Sequence, residues 1–138
     1  MDERKTCHCI KIRRAANAIT QLYDLALSDL KITTAQFSLL YSLEKIQPCS
    51  MRQLADYMDL ERSTLVRNMK ILTDRQLVID AREAGMRDSS LSLSGKGNSL
   101  LKEAIPKWNG IQKKLEDKIG AEEIKGLESL LDQIIKFN

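Results

Sequence analysis

The sequence predicts a mainly α-helical domain that carries one small β-hairpin. Over most of the 138 residues, apolar side chains (largely Leu, Ile and Ala) recur three and four positions apart, which is the spacing of one helix face. Between residues 77 and 93 this spacing gives way to a short β-branched run and then to a polar–apolar alternation, which is typical of strands. The length suits one domain with a core of its own.

The first three helices are predicted from apolar spacing and from residues that cap helix ends. The first runs from about residue 10 to residue 30. The second begins at Thr33 or Thr34, either of which can cap it, and ends before Pro48. Ser50 then caps a short third helix.

A fourth helix follows after a tight turn at residues 59–60. It is predicted to run from about Arg62 to Arg75, with a polar face and an apolar face. The apolar face is predicted to point into the core, and it consists of Leu65, Val66, Met69 and Leu72.

The remaining elements are a hairpin and two more helices. Residues 77–79 and 89–93 are the predicted strands, joined by a polar loop that contains a glycine. Ser94 caps a long helix, and Gly120 separates it from a last one. The predicted order is helix, helix, helix-turn-helix, hairpin, long helix, helix, with no linker that would divide residues 1–138 into two domains.

Composition argues against several classes of protein. No apolar run is long enough to span a bilayer, and the first residues mix acids with bases, unlike a signal peptide. We therefore expect a cytoplasmic protein with no membrane partner. With one histidine, no glycine-rich phosphate loop and no nucleophile–base set, we expect neither an enzyme nor a cofactor. The net charge of +3 does not by itself indicate a nucleic-acid partner.

The helix pair and the hairpin together indicate a winged helix-turn-helix. In this arrangement the second helix of the pair enters the major groove of double-stranded DNA, where Arg can bind guanine, Asn adenine, and Ser or Thr bases or phosphates. The start of the preceding helix can hold phosphates, and loop arginines can enter a minor groove. The candidate DNA-binding residues are Ser50, Arg52, Gln53, Arg62, Ser63, Thr64, Arg67, Asn68, Lys70, Arg82 and Arg87. A polar helix face also suits a winged-helix protein-interaction module without specific DNA binding, which stays the alternative.

Residues 32–97 resemble the core of MarR-type regulators. The resemblance rests on ITTAQF, on LADYMDLERSTLVRN and on the wing that closes with SLSGKG. It implies that the DNA-binding lobe comprises about residues 33–96. It also implies that the dimerisation helices comprise about residues 8–32 and 97–138. It further implies a homodimer on a pseudo-palindromic operator, acting as a repressor that a small-molecule or oxidant effector releases.

The wing departs from the pattern of that family. Family members carry an aspartate two residues before a wing arginine, and here Gly85 stands at the aspartate and Arg87 at the arginine. We expect Arg87 to lack its usual partner unless Asp88 takes that place. Gln76 stands where a glycine often follows the recognition helix.

The N-terminal cysteines suggest a trigger. Cys9 lies where the organic-hydroperoxide-sensing branch of the family carries its reactive cysteine, with Cys7 nearby, and Tyr23 matches one of the tyrosines that bind that cysteine. Two further tyrosine positions hold Thr34 and Arg13. Because a helix N-terminus and nearby bases stabilise a thiolate, Cys9, Cys7 and Tyr23 are a candidate redox sensor.

Three other interpretations of this region stay open. The cysteines can be unreactive thiols at a frayed terminus. Cys7, His8 and Cys9, with or without Cys49, can hold a metal, although a C-x-C step is a weak zinc signal. The effector can also be an amphipathic molecule bound between the dimerisation helices and the lobe, in a crevice lined by Tyr23, Phe37, Tyr41 and Trp108, although most of these aromatic residues suit an ordinary core.

Overall fold

The computed structural model of the protein describes residues 7–137 and confirms the predicted fold class. The elements are α1 (His8–Leu27), a 3₁₀ turn (Ser28–Leu30), α2 (Thr34–Ile46), α3 (Met51–Met58), α4 (Arg62–Asp74), β1 (Val78–Asp80), β2 (Leu91–Leu93), α5 (Gly95–Ile119) and α6 (Ala121–Ile135). Across the described range, none of the helices combines the length and apolarity that a membrane span needs. The prediction that the chain does not start with a signal peptide rests in part on residues 1–6, which lie outside the described residues.

Three of the helices start at the capping residues that the sequence predicts. Thr33 Oγ1 accepts a hydrogen bond from the Gln36 amide at 3.2 Å, and Gln36 Oε1 accepts one from the Thr33 amide at 3.0 Å. Ser50 and Gln53 repeat this reciprocal arrangement at the start of α3. Ser94 Oγ accepts from the amide of Gly97 at 2.9 Å at the start of α5. Each cap satisfies amide groups that the first turn of a helix leaves without intrahelical partners.

The wing is a two-stranded antiparallel sheet in which Val78 pairs with Leu93 and Asp80 pairs with Leu91. Cys49, just before α3, extends this sheet, because its amide and carbonyl both bond to Leu91, at 3.1 and 2.7 Å. Ser89 Oγ accepts a bond from the Met51 amide at 2.8 Å. The wing is therefore attached directly to the start of α3.

The core lies between α2, α3, α4, the hairpin and the first half of α5. Its fully buried side chains are Leu27, Leu39, Leu40, Leu43, Leu54, Leu65, Met69, Leu72, Leu77, Leu91 and Leu101. Leu65, Met69 and Leu72 are buried and confirm three positions of the predicted inward face of α4. The prediction for Val66 is wrong, because 45% of this residue is exposed. The buried stripe of α4 is only one i, i+4, i+7 row wide, and Val66 lies about 100° around the helix from Leu65.

The flanking helices differ from this lobe because their apolar faces are open in the single chain. In α1 only Tyr23 and Leu27 are buried, and in α6 no residue is. The exposed large apolar residues of α1, α6 and the residue positions just after α6 are Ile10, Ile12, Ile19, Leu22, Leu25, Leu127, Leu130, Ile134, Ile135 and Phe137. We call this set the association face. Exposed apolar side chains grouped on a surface are typical of interaction sites.

Candidate nucleic-acid interface

Three segments that are distant in sequence meet around one crevice of about 140 Å³. They are the start of α3, the start of α4 and the wing loop. The residues that line this wing crevice are Ser50, Met51, Arg52, Arg62, Val66, Arg82, Arg87, Asp88 and Ser89. Four arginines against one aspartate give the crevice a positive charge, which a net charge of +3 for the whole chain does not reveal. Local charge of this kind favours a phosphate-bearing partner.

The exposed face of α4 begins at this crevice. Arg62, Ser63 and Arg67 are exposed, whereas Thr64 and Asn68 are half-buried. Ser63 Oγ donates to Glu61 at 2.6 Å, and Asn68 Nδ2 donates to the Thr64 carbonyl at 3.4 Å. Two of the predicted reading side chains are thus occupied within the chain, and Arg62 and Arg67 are the more available donors on this face.

Lys70 lies farther along the same helix and away from the wing crevice. Its ammonium pairs with Asp74 one turn on, at 3.0 Å, and both side chains are largely exposed. Such an exposed pair exchanges readily with solvent and with other anions. Of the candidate DNA-binding residues, the structure places Ser50, Arg52, Arg62, Arg82 and Arg87 in the lining of the crevice, and Lys70 is not among them.

The start of α3 keeps its hydrogen-bond donors free while its acceptors are used. Ser50 Oγ accepts from the Gln53 amide at 3.1 Å, and Gln53 Oε1 accepts from the Ser50 amide at 2.8 Å. The Ser50 hydroxyl proton and the Gln53 NH₂ group can still donate. Together with the exposed guanidinium of Arg52, they suit a phosphate oxygen.

The wing contains an acid–arginine pair that the sequence analysis missed. Asp80 Oδ2 accepts from Arg82 Nη2 at 2.9 Å, while Asp80 Oδ1 accepts from the Arg82 and Ser90 amides at 3.1 and 3.0 Å. Burial alone would raise the pKa of the Asp80 carboxyl, but the bonds from Ser90 and Arg82 together lower that pKa below its ordinary value. Asp80 is consequently a carboxylate at neutral pH, and it orients Arg82.

At the wing tip, the alternative in which Asp88 partners Arg87 is not found among the described residues. Asp88 forms no salt bridge with a cation of residues 7–137, so it does not replace the missing acid at Gly85. Gly85 itself has φ +89°, a conformation that side-chain-bearing residues rarely adopt, which disfavours an aspartate there. The Arg87 carbonyl accepts from Arg82 Nη1 at 3.2 Å, so the oriented Arg82 also braces the loop.

Asp80 and Ser89 are the functional candidates that sequence reasoning missed. A signal for Asp80 was present in the sequence, because an acid stands two residues before Arg82, at the end of β1. Ser89 offered no such signal, since its bond to Met51 depends on how the wing docks on α3.

The three cysteines occupy two different environments. Cys7 precedes α1, Cys9 lies in its first turn, and both are exposed, whereas Cys49 is buried in the core. Burial raises the pKa of the Cys49 thiol, so this thiol is protonated and unreactive at neutral pH. Within residues 7–137, no group of three or more His, Cys, Asp or Glu side chains is arranged to hold a metal ion.

Cys9 lines an apolar groove of about 940 Å³ between the start of α1 and the end of α6. The residues of this α1–α6 groove are His8, Cys9, Lys11, Ile12, Arg13, Leu130, Gln133, Ile134 and Phe137. Several of them belong to the association face. A chemical change at Cys9 therefore takes place beside apolar residues of that face.

Tyr23 and Thr34, two positions of the expected cysteine-binding cage, have other partners. The buried Tyr23 hydroxyl donates to Gln112 Oε1, and burial together with the nearby Glu116 raises its pKa. Thr34 donates from its hydroxyl and its amide to Asp24, at 2.6 and 2.7 Å. Tyr23 and Cys9 lie about 21 Å apart along α1, from a rise of about 1.5 Å per residue, so they cannot touch within one chain.

Three of the aromatic residues, Phe37, Tyr41 and Trp108, form one stack between α2 and α5. Phe37 and Trp108 lie with ring centroids 5.8 Å apart, Tyr41 and Trp108 6.3 Å apart. Phe37 is buried, Trp108 is half-buried, and the exposed Tyr41 carries the Lys45 ammonium 5.0 Å above its ring. Tyr23 lies outside this stack, and its hydroxyl bonds to Gln112 on α5.

A helix pair with a basic second helix, followed by a wing that reaches the same crevice, defines a winged helix-turn-helix transcription regulator. The sequence model of the MarR family matches residues 32–81. The transcriptional regulator MosR of Mycobacterium tuberculosis, solved in complex with DNA, is 31% identical with a TM-score of 0.73, and the alignment covers 93% of this chain and 98% of that one. The chain belongs to the MarR family, whose members are transcriptional regulators and not enzymes.

Two further comparisons agree with this assignment. An HTH-type transcriptional regulator of Bacillus cereus is 25% identical over 130 residues, which are 94% of this chain and 87% of the relative. The transcriptional repressor CouR, solved on a 23-mer DNA duplex, shares the fold, with a TM-score of 0.87, 22% identity and coverage of 99% of this chain and 97% of that one. The likeness extends over the flanking helices as well as the lobe.

Proposed function

We propose that the protein is a homodimeric repressor that binds a pseudo-palindromic operator through the wing crevice and α4. The observation that carries this proposal is the convergence of Arg52, Arg62, Arg82 and Arg87 on one crevice beside the exposed start of α4. Solved relatives that include DNA support double-stranded DNA as the partner.

Each segment around the crevice has its own part in this proposal. Arg62 and Arg67 read base edges from the major groove, with Ser63, Thr64 and Asn68 exchanging their internal hydrogen bonds for bases or phosphates. Ser50, Arg52 and Gln53 hold phosphates and fix the register. Arg82, oriented by Asp80, and Arg87 lie along the minor groove, and Lys70 contributes only long-range attraction.

The remaining helices serve dimerisation. In this division residues of about 33–96 are the DNA-binding lobe, and about 8–32 and 97–138 are dimerisation helices. The association face supports a second copy of the chain as the occupant, because it follows both α1 and α6 over their length. A two-fold dimer places two α4 helices on half-sites about one helical turn apart.

The trigger that we propose is oxidation of Cys9. A hydroperoxide ROOH oxidises the Cys9 thiol to a sulfenic acid and is itself reduced to the alcohol ROH. The sulfenic acid then condenses with a Cys7 thiol, forming an S–S bond and releasing water. Residues two apart do not face each other on a helix, so this bond either unwinds the first turn of α1 or joins the two chains. Both outcomes disturb the association face beside the α1–α6 groove.

The DNA-binding proposal is tested on a duplex selected from random sequences with the wild-type protein. Affinity is then measured against salt for that duplex and for a scrambled one. Arg67→Ala should lose about 1–3 kcal/mol of discrimination between the two duplexes. Arg87→Ala should weaken binding to both duplexes and lower the salt slope by about one.

Lys113→Ala, far from the crevice, is the charge-matched control. Equal binding to both duplexes, or none at low salt, contradicts the proposal and favours the protein-interaction module.

The trigger is tested by adding organic hydroperoxide to the complex. Wild type and Cys49→Ser should release the DNA, whereas Cys9→Ser should keep it. If Cys9→Ser is released equally, Cys9 is not the sensor. Parallel samples with zinc, with a chelator and with amphipathic aromatic acids identify a metal or a small-molecule effector instead.

A further inference from the structure

Residues 75–77 form a corner between α4 and β1. Side-chain hydrogen bonds join this corner to the end of α1 and to the start of α5, and the side chains that make them do not line the wing crevice. We infer that Arg75, at this corner, is a positioning residue that sets the angle of α4 relative to α1 and α5. This inference rests on the proposed function, because it assigns Arg75 an effect on DNA binding without a contact to DNA.

The first tie joins the corner to the end of α1. Arg75 Nη1 donates to the Lys31 carbonyl at 2.6 Å, and Arg75 Nη2 donates to the Leu30 carbonyl at 3.3 Å. These carbonyls close the 3₁₀ turn that ends α1, where Lys31 adopts φ +56°. Carbonyls at the end of a helix lack intrahelical donors and carry partial negative charge, so a guanidinium is a strong partner for them.

The second tie joins the same corner to the start of α5. Lys96 Nζ donates to the Arg75 carbonyl at 3.2 Å, and Ser94 Oγ donates to the Gln76 carbonyl at 2.6 Å. Next to these bonds, α5 approaches so closely that a Cβ on Gly97 would overlap the Leu77 carbonyl. The corner is therefore held from two sides, and α1 and α5 also contact each other.

A small tilt of α4 at the corner displaces its far end, which carries the residues proposed to bind DNA. α4 has 13 residues, so Arg62 lies about 20 Å from the corner at a rise of about 1.5 Å per residue. A tilt of about 10° at the corner moves the start of α4 by about 3.5 Å over that length. Hydrogen bonds to base edges tolerate displacements of only a few tenths of an ångström. A change in α1 or α5 thus reaches the reading residues through Arg75.

The experiment compares Arg75→Gln, Arg75→Lys and the charge control Lys113→Gln on the duplex selected with wild type. Arg75→Gln should raise Kd about tenfold, a typical size for coupling between sites, with an unchanged salt slope. On duplexes whose half-sites are one base pair closer or farther apart, it should discriminate less than wild type. Arg75→Lys, which can still donate to the Lys31 carbonyl, should recover most of the affinity, and Lys113→Gln should behave as wild type.

Two results overturn the inference. One is an unchanged Kd and spacing preference in Arg75→Gln. The other is a salt slope lowered by about one, which identifies Arg75 as a phosphate contact. If Arg75→Gln does not fold, Lys96→Gln removes the second tie, and the same spacing test applies to it. Failure of the wild type to select any duplex overturns the proposed function itself, a result distinct from both.

Discussion

The lobe of α2–α4 and the wing buries its apolar side chains within one chain, whereas α1 and α6 do not. Leu40, Leu54 and Leu72 are completely buried in the lobe, but Leu130 is 58% exposed and Phe137 is 89% exposed. The stability of the lobe is therefore internal, and that of the flanking helices depends on what covers them. In a dimer, chemistry at the flanking helices can change DNA binding without damaging the lobe that performs it.

The largest effect that we predict separates these two regions. Leu130→Asp places a charge on the association face and should weaken self-association by about 3 kcal/mol, which is more than a hundredfold. Sedimentation should then show monomers, and DNA affinity should fall with them, while the circular dichroism of the lobe persists. Ser129→Asp, which adds the same charge on the polar side of α6, is the control. A variant Leu130→Asp that stays dimeric would show that the second copy binds elsewhere.

The next prediction breaks the lobe and leaves the association face unchanged. Gly97→Ala forces a methyl group against the Leu77 carbonyl, and the free energy of unfolding should fall by about 3 kcal/mol. Gly95→Ala, two residues earlier and with open space around it, should change that free energy by less than about 1 kcal/mol. Chemical denaturation of both variants measures the difference. Equal effects would mean that α5 does not pack closely on this corner.

A third prediction concerns the wing and its pH dependence. The lowered pKa of Asp80 means that the bonds to Arg82 and Ser90 are complete above the ordinary value of 3.8 and are lost as pH falls through the lower folded value. The Ser90 amide resonance should titrate with a midpoint below 3.8. At neutral pH, Asp80→Asn keeps an acceptor for Ser90 but loses the charge that orients Arg82, so DNA affinity should fall about tenfold.

A midpoint at or above the ordinary value would contradict this picture of the wing. So would an Asp80→Asn variant that binds DNA as the wild type does. Asp132→Asn, an exposed position on α6 outside the wing crevice, is the matched control, and it should leave the affinity nearly unchanged.

The smallest effect is expected at the end of α4. Gln76 adopts φ +61°, which is costly for any residue with a side chain. Gln76→Gly should raise the free energy of unfolding by about 0.5–1 kcal/mol, after allowance for the greater freedom of glycine in the unfolded chain. Gln76→Ala keeps the Cβ and should bring no gain. A gain in both variants would trace the cost to the glutamine side chain and not to the backbone.

Local signals made most of the fold predictable. Each of these signals involves only a few neighbouring residues. They are the caps Thr33, Ser50 and Ser94, the apolar row of α4 and the alternation of β2. The position of Gln76, where the family often has glycine, was also visible in sequence, and its positive φ supplies the reason.

What could not be predicted depends on how distant segments meet. The role of Asp80 requires the register that pairs it with Leu91 and brings the Ser90 amide within reach. The two carbonyls that hold Arg75 belong to a turn more than forty residues earlier in the chain. Val66 looks like a core residue in sequence. It is exposed in the lining of the wing crevice because α4 packs on the rest of the lobe through a narrow row of residues.

The most direct test of the account is a hydroxyl-radical footprint of the wild-type protein on its selected duplex. Two lobes held by one association face predict two equal protected half-sites, related by a two-fold axis and centred about 10 base pairs apart. Minor-groove protection by the wings should flank each half-site and be lost in Asp80→Asn. A single unsymmetrical footprint, or uniform protection along the duplex, would contradict the division of the chain into a reading lobe and dimerising helices.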